Sequence, residues 1–235
     1  MKQLLLTITL LLGSFYAFSQ NTIDEKVHTA EKDIDAWTKR GVVLIDKFQS
    51  DDKNKYGSHD FLEFSVRAIQ DEQTDSLILN IECIGDALGN HWIRIYPEDM
   101  STFLQAMATI RDKFIEWREV AKTNSITEFK KDIPLSKDHR VYRSFLFKSP
   151  ERDPYYVCSL IPTFEVDKSG NSSVLIKLTD KRGSTEGTLL FSSESKLEHL
   201  LYIIQPDYVS AVFERTQQRI KELDQATHDR DALFQ

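Results

Sequence analysis

Apolar positions along this chain recur in two rhythms, and the alternation between them outlines the fold. Val27, Ala30, Ile34 and Trp37 advance in steps of three and four, which places them on one helical face. Lys39 and Arg40 suit the negative end of such a helix, and Gly41 suits its left-handed cap, so residues 24–40 are predicted to be helical. The rhythm then shortens. Residues 42–48 are β-branched and apolar, the polar stretch 49–59 is expected to be a loop, and Phe61, Phe64, Val66 and Ala68 sit in an extended run. A turn is expected at 71–75. In the next run Leu77, Leu79, Ile81 and Cys83 share one face, and after a Gly-containing loop Ile93 and Ile95 alternate with Trp92, Arg94 and Tyr96. Pro97-Glu98-Asp99 opens a long helix, since proline costs nothing in the first turn and acids favour the positive end. Its stripe is Met100, Phe103, Leu104, Met107, Ile110, Phe114, Trp117 and Val120.

The second half repeats the plan. Strands are predicted at 141–147, 155–166 (with Pro162 at a bulge or edge position), 174–178 and 188–191. A hairpin turn at 167–171 and a turn at 180–187 divide the later ones. Ser192 or Ser193 can cap a helix whose apolar face is Leu197, Leu200, Leu201 and Ile204. Pro206 interrupts it, and a last amphipathic helix to about residue 229 carries Val209, Val212, Phe213, Thr216, Ile220 and Leu223. Each half thus reads as four strands and a helix. Met100, Phe103, Leu104 and Met107 superpose on Leu197, Leu200, Leu201 and Ile204 at constant offset. The predicted class is α+β: two antiparallel ββββα units packed together, residues 20–130 and 131–235, with an extra N-terminal helix. A lone four-stranded sheet with one helix buries one face only, and a second copy can cover the rest.

The runs 61–68, 77–84 and 92–96 with the helix from Pro97, and their counterparts ending at Phe191 and Ser193, resemble the PUR and whirly family of single-stranded nucleic-acid binders. The resemblance is one of topology over most of the chain and carries no residue-level motif. It implies tandem ββββα repeats. Single-strand binding needs a basic groove with aromatic stacking platforms, and the charge of this chain runs the other way.

That charge is −7, and becomes −8 when Lys2 is removed with the leader. The leader is legible as such: Lys2, the apolar run from Leu4 to Leu12, and the small residues of Ala17-Phe18-Ser19 form the three parts of a secretory signal, cut before Gln20. Its core is far shorter than the roughly 20 apolar residues that span a bilayer, so no membrane span is expected after cleavage. No cysteine follows the cut until Cys83, which closes the lipoprotein route. A periplasmic or extracellular location follows, and an acidic chain there gives no support for nucleic-acid binding. Cys83 and Cys158 can form one disulfide in an oxidising compartment, or stay as two buried thiols.

Candidate chemistry is thin. The sequence has no Gly-x-Ser-x-Gly elbow, no His-Glu-x-x-His zinc helix, no phosphate-cradling loop and no EF-hand loop. His28, His59, His91, His139, His199 and His228 show no metal-ligand spacing and read as surface or boundary residues. The acid–His neighbours are His59-Asp60, Asp138-His139 and Glu198-His199. The paired carboxylates Asp51-Asp52, Asp71-Glu72 and Glu98-Asp99 invite a glycosidase reading, but 37 acids supply such pairs by number alone. The turn Asp180-Lys181-Arg182-Gly183 reads as a solvated hairpin tip. No catalytic, cofactor or metal residue is therefore assigned. The expected function is that of an exported, non-catalytic binding protein with a macromolecular partner. The alternatives are a hydrolase with a carboxylate site and a PUR-like single-strand binder.

Overall fold

A computed structural model of the chain describes residues 41–53, 61–71, 74–84, 91–136, 142–146, 156–179 and 185–232. The expected leader and the expected helix at 24–40 lie outside the described residues. Two four-stranded antiparallel meanders, each followed by a helix, make an α+β fold. The first comprises β1 (Val42–Lys53), β2 (Phe61–Gln70), β3 (Leu77–Ile84) and β4 (His91–Ile95), followed by α1 (Pro97–Thr123). A short strand, β5 (Phe129–Asp132), links it to β6 (Tyr142–Leu146), β7 (Tyr156–Val166), β8 (Ser172–Thr179) and β9 (Thr185–Phe191), and then to α2 (Glu194–Ile203) and α3 (Pro206–Ala232).

The meanders join edge to edge. β4 pairs with β6, with Trp92 opposite Phe145 and Arg94 opposite Arg143, so the strand order is β1-β2-β3-β4-β6-β7-β8-β9. The sheet curls until its two ends, β1 and β9, come into contact, and α2 packs on both. The helices cross over between units: α1 lies on β7 and β8 as well as β4, while α3 lies on β1. One hydrophobic core results. It contains Val43, Phe64, Val66, Ile81 and Ile93 from the first unit and Phe164, Val174, Ile176, Leu189 and Phe191 from the second. Phe64 and Phe191 stack across the halves, with centroids 5.7 Å apart and planes 8° from parallel.

Several expectations need correction. Gln49 to Lys53 belongs to β1 rather than to a loop; a register shift between Gln49 and Lys53 lets this polar stretch stay paired with β2. Residues 185–187, expected within a turn, begin β9, where Gly187 pairs with Leu178. β5 was not anticipated, because Phe-Lys-Lys-Asp has no apolar alternation and all four residues are exposed. It is held by β7 rather than by its own burial. Lys130 pairs with Glu165, Lys131 lies 4.8 Å from the Trp117 ring centroid, and the Thr163 hydroxyl donates to Asp132. The unit boundary between residues 130 and 131 falls inside this strand.

Pro162 marks where β6 stops and β5 starts along one edge of β7. Its carbonyl accepts from the Ile133 amide at 2.8 Å, so its missing N–H faces that same junction, while pairing with β8 runs through Pro162 without a shift. The position is a local edge, and no bulge is present there.

Candidate functional site

A cleft and a buried polar contact flank the first turns of α3. On one flank is a cleft of about 480 Å³, walled by the β2–β3 turn and by the starts of α1 and α3. The turn is fixed by backbone bonds from the Asp71 amide to the Ser76 carbonyl and from the Asp75 amide to the Asp71 carbonyl, both 2.9 Å. Asp75 adopts φ 54, a left-handed conformation that Asp tolerates because its short side chain bonds locally. Here the Asp75 carboxylate accepts from the Gln70 amide group. Pro97 and Pro206 occupy the first position of their helices, as the sequence predicted for α1. Leu79, Met100, Val209 and Phe213 form the floor, each buried. The ionisable groups lining the cleft, among the described residues, are Asp75 and Glu214, and both are exposed.

On the other flank Asp46, His199 and Tyr208 tie three elements together. A register shift between Leu44 and Asp46 in β1 turns both Ile45 and Asp46 inward, although they are consecutive. The Asp46 carboxylate, 5% exposed, accepts from the Lys47 amide at 2.8 Å and lies 2.7 Å from His199 Nε2 on α2. Tyr208 of α3 is 6% exposed. Its hydroxyl has no hydrogen-bond partner among the described residues. Burial, then the Asp46 charge, then Tyr202 push its phenol well above the ordinary value. Tyr202 and Tyr208 pack with centroids 4.8 Å apart. A phenol held protonated is a poor nucleophile. The arrangement clamps α2 and α3 onto β1.

Of the residues the sequence singled out, His199 meets a buried carboxylate. It is a boundary residue, as expected, and its carboxylate partner is Asp46 rather than neighbouring Glu198. Asp46 was overlooked, yet an aspartate inside the apolar run 42–48 was itself a signal, since a buried acid requires a partner. Nothing in the sequence marked Asp75 and Glu214 as neighbours of one cleft. Glu98 and Asp99 lie in the first turn of α1, Asp51 and Asp52 lie in β1, and Asp71 opens the β2–β3 turn. His91 is in β4, and His228 is on the exposed end of α3. His28, His59, Asp60, Glu72, Asp138, His139 and residues 180–183 lie outside the described residues.

Strand order bears on the cysteines. β4 and β6 separate Cys83 in β3 from Cys158 in β7. Three strand spacings amount to about 14 Å, twice the reach of a disulfide. Among the described residues no three His, Cys, Asp or Glu side chains group as metal ligands, and no helix is long and apolar enough to cross a membrane. No protein-family model matches the chain, and no curated protein matches it.

Proposed function

We propose that this is an exported, non-catalytic binding protein whose cleft beside α3 receives a basic amphipathic segment of a macromolecular partner. The observation that carries the reading is the cleft's lining: an apolar floor of Leu79, Met100, Val209 and Phe213 beneath a rim whose ionisable groups are the exposed acids Asp75 and Glu214. Apolar side chains of a helix or strand would fill the floor, and Lys or Arg on its flanks would meet the acids. Glu98, Asp99 and Asp207 in the first turns of the two walling helices offset the positive ends of those helices. Export rests on the leader, from Lys2 through the run Leu4 to Leu12 to Ala17-Phe18-Ser19.

The test is titration of the purified protein with two labelled peptides, followed by fluorescence anisotropy. One bears Trp and Leu on one helical face and Lys on the other; its twin bears Glu in place of Lys. Saturable binding of the Lys peptide, weakened by Glu214→Lys and absent for the Glu peptide, is expected. Equal behaviour of the two peptides would refute the reading.

A second reading, a PUR-like hold on single-stranded nucleic acid, draws support from one register row. Arg67 of β2 stands opposite Asn80 of β3, Asn80 opposite Arg94 of β4, and Arg94 opposite Arg143 of β6. Arg94 Nε donates to Asn80 Oδ1 at 3.1 Å. Salt-dependent retardation of single-stranded oligonucleotides would favour this alternative, and no shift at low salt would end it.

A further inference from the structure

On the flank of α3 opposite the cleft, Asp46, His199, Tyr202 and Tyr208 gather donor atoms of one kind: a carboxylate, an imidazole and two phenols, each a metal ligand once it carries no proton on the ligating atom. Asp46 Oδ2 and His199 Nε2 stand 2.7 Å apart. Two donors about 2.1 Å from one ion, at right angles, are about 3 Å from each other, so this pair needs little movement to share an ion. His199 and Tyr202 are three positions apart on α2, which puts them on one face of that helix. Tyr202 packs against Tyr208 in the first turn of α3, with ring centroids 4.8 Å apart. Asp46 and Tyr202 are in turn the charged neighbours that act on the Tyr208 phenol. The four side chains thus close a ring, from β1 to α2 to α3 and back to β1. A second observation points to a ligand: the buried Tyr208 hydroxyl has no hydrogen-bond partner among the described residues, and such a group costs stability. Tyr202 is exposed, which gives the ring a side open to solvent.

We propose that Asp46, His199, Tyr202 and Tyr208 form a binding site for ferric ion. Two phenolate oxygens and a carboxylate oxygen are hard, anionic donors that suit a trivalent cation, and iron also accepts imidazole. Calcium and magnesium take oxygen ligands alone, and structural zinc is held by Cys and His. Because phenols supply half of the set, the site involves only two side chains of the His, Cys, Asp and Glu class. The charges balance: the iron enters with three positive charges, each phenol releases one proton, and one carboxylate and two phenolates neutralise the ion while His199 binds as neutral imidazole. Burial and then the Asp46 charge hold the Tyr208 proton in place without metal, and an incoming cation reverses the second of these. His199 and Tyr202 also lie in the last turns of α2, whose negative end favours a cation.

Phenolate bound to ferric iron absorbs visible light by charge transfer, and that band supplies the test. The purified protein is mixed with ferric nitrilotriacetate, desalted, and read for visible absorbance and for iron content. One iron per chain with a charge-transfer band is expected. Tyr208→Phe removes one phenolate and should weaken the hold on iron against the chelator by at least roughly tenfold, with a weaker band. Tyr202→Phe alters an exposed side chain and should act in the same direction. His199→Gln should loosen the iron too, while the iron that remains keeps its phenolate band. Denaturant unfolding of each variant, run alongside, shows that the fold is intact. Folded wild-type protein that retains no iron overturns the proposal. Bands of equal strength in the wild type and in both tyrosine variants overturn it as well, because they place the iron elsewhere on the acidic surface.

Discussion

Helices α1 and α3 are built to the same specification and meet different fates. Each is 27 residues long, opens on proline and carries acids in its first turn. α1 is buried along its length, from Met100 and Phe103 through Ile110 and Phe114 to Ala121, because it lies across the curled sheet. α3 is anchored at Tyr208, Val209, Val212, Phe213 and Thr216, and every residue from Lys221 to Asp229 is exposed. The distal half is instead laced by pairs along its own surface: Arg219 and Gln218 to Glu222, and Gln225 to Asp229. The difference teaches that an apolar stripe specifies a helix without saying what will cover it. Tertiary packing holds α1 and the start of α3, while local propensity and side-chain pairs hold the rest.

Substitutions should grade along this divide. Phe114, fully buried against Phe164, is expected to lose about 3–5 kcal/mol as Phe114→Ala, measured by denaturant unfolding. Asp46→Ala should cost less, about 2 kcal/mol. It removes the carboxylate that meets His199, but that side chain is 36% exposed, and water replaces part of the lost interaction. Its effect on the anchored half of α3 should appear as faster amide exchange at 206–213.

Tyr208→Phe should stabilise by about 1 kcal/mol, because it removes a buried hydroxyl with no partner among the described residues. The pH dependence has a definite sign. The folded phenol keeps its proton above the ordinary value of 10.0, so the unfolded chain binds fewer protons than the folded one as pH rises past that point. Wild-type stability should therefore fall above pH 10 by a component that Tyr208→Phe lacks; parallel alkaline curves would contradict the assignment. Leu223→Ala, at 40% exposure, should change stability by no more than about 0.5 kcal/mol. A larger loss would mean that the distal half is packed against something after all. The smallest effect is at Glu222, held below its ordinary 4.5 first by the Gln218 hydrogen bond and then by Arg219. Its contribution is present above that value and lost as pH falls through the lowered one. A carboxyl-carbon NMR titration should show Gln218→Ala and Arg219→Ala each returning Glu222 toward 4.5.

The sequence was legible where one face of an element is wet. The alternation in 77–84 and the stripe from Met100 to Trp117 gave β3 and α1 nearly to the residue. Val120 was misassigned to the buried face: it is 49% exposed, because in the last turn the stripe steps from Trp117 to Ala121. Leu223 failed for a different reason, since nothing among the described residues lies over the end of α3. The cap at Ser193 was readable because its chemistry is local; its side chain accepts from the Lys196 amide. The cleft and the Asp46–His199 contact were not readable. His199 and Asp46 are separated by 153 positions, and only the curl that brings α2 to β1 makes them neighbours.

The crossing of the helices has a consequence in time as well as in space. As the chain is made, β1 to β4 and α1 emerge first, but α1 must wait for β7 and β8 before its apolar stripe is covered. β1 likewise waits for α2 and α3. Neither unit can close its core while its sibling is missing, so the first half should remain a sticky intermediate until nearly the whole chain has been released. For such a protein a holding chaperone would shield unfinished surface rather than repair mistakes.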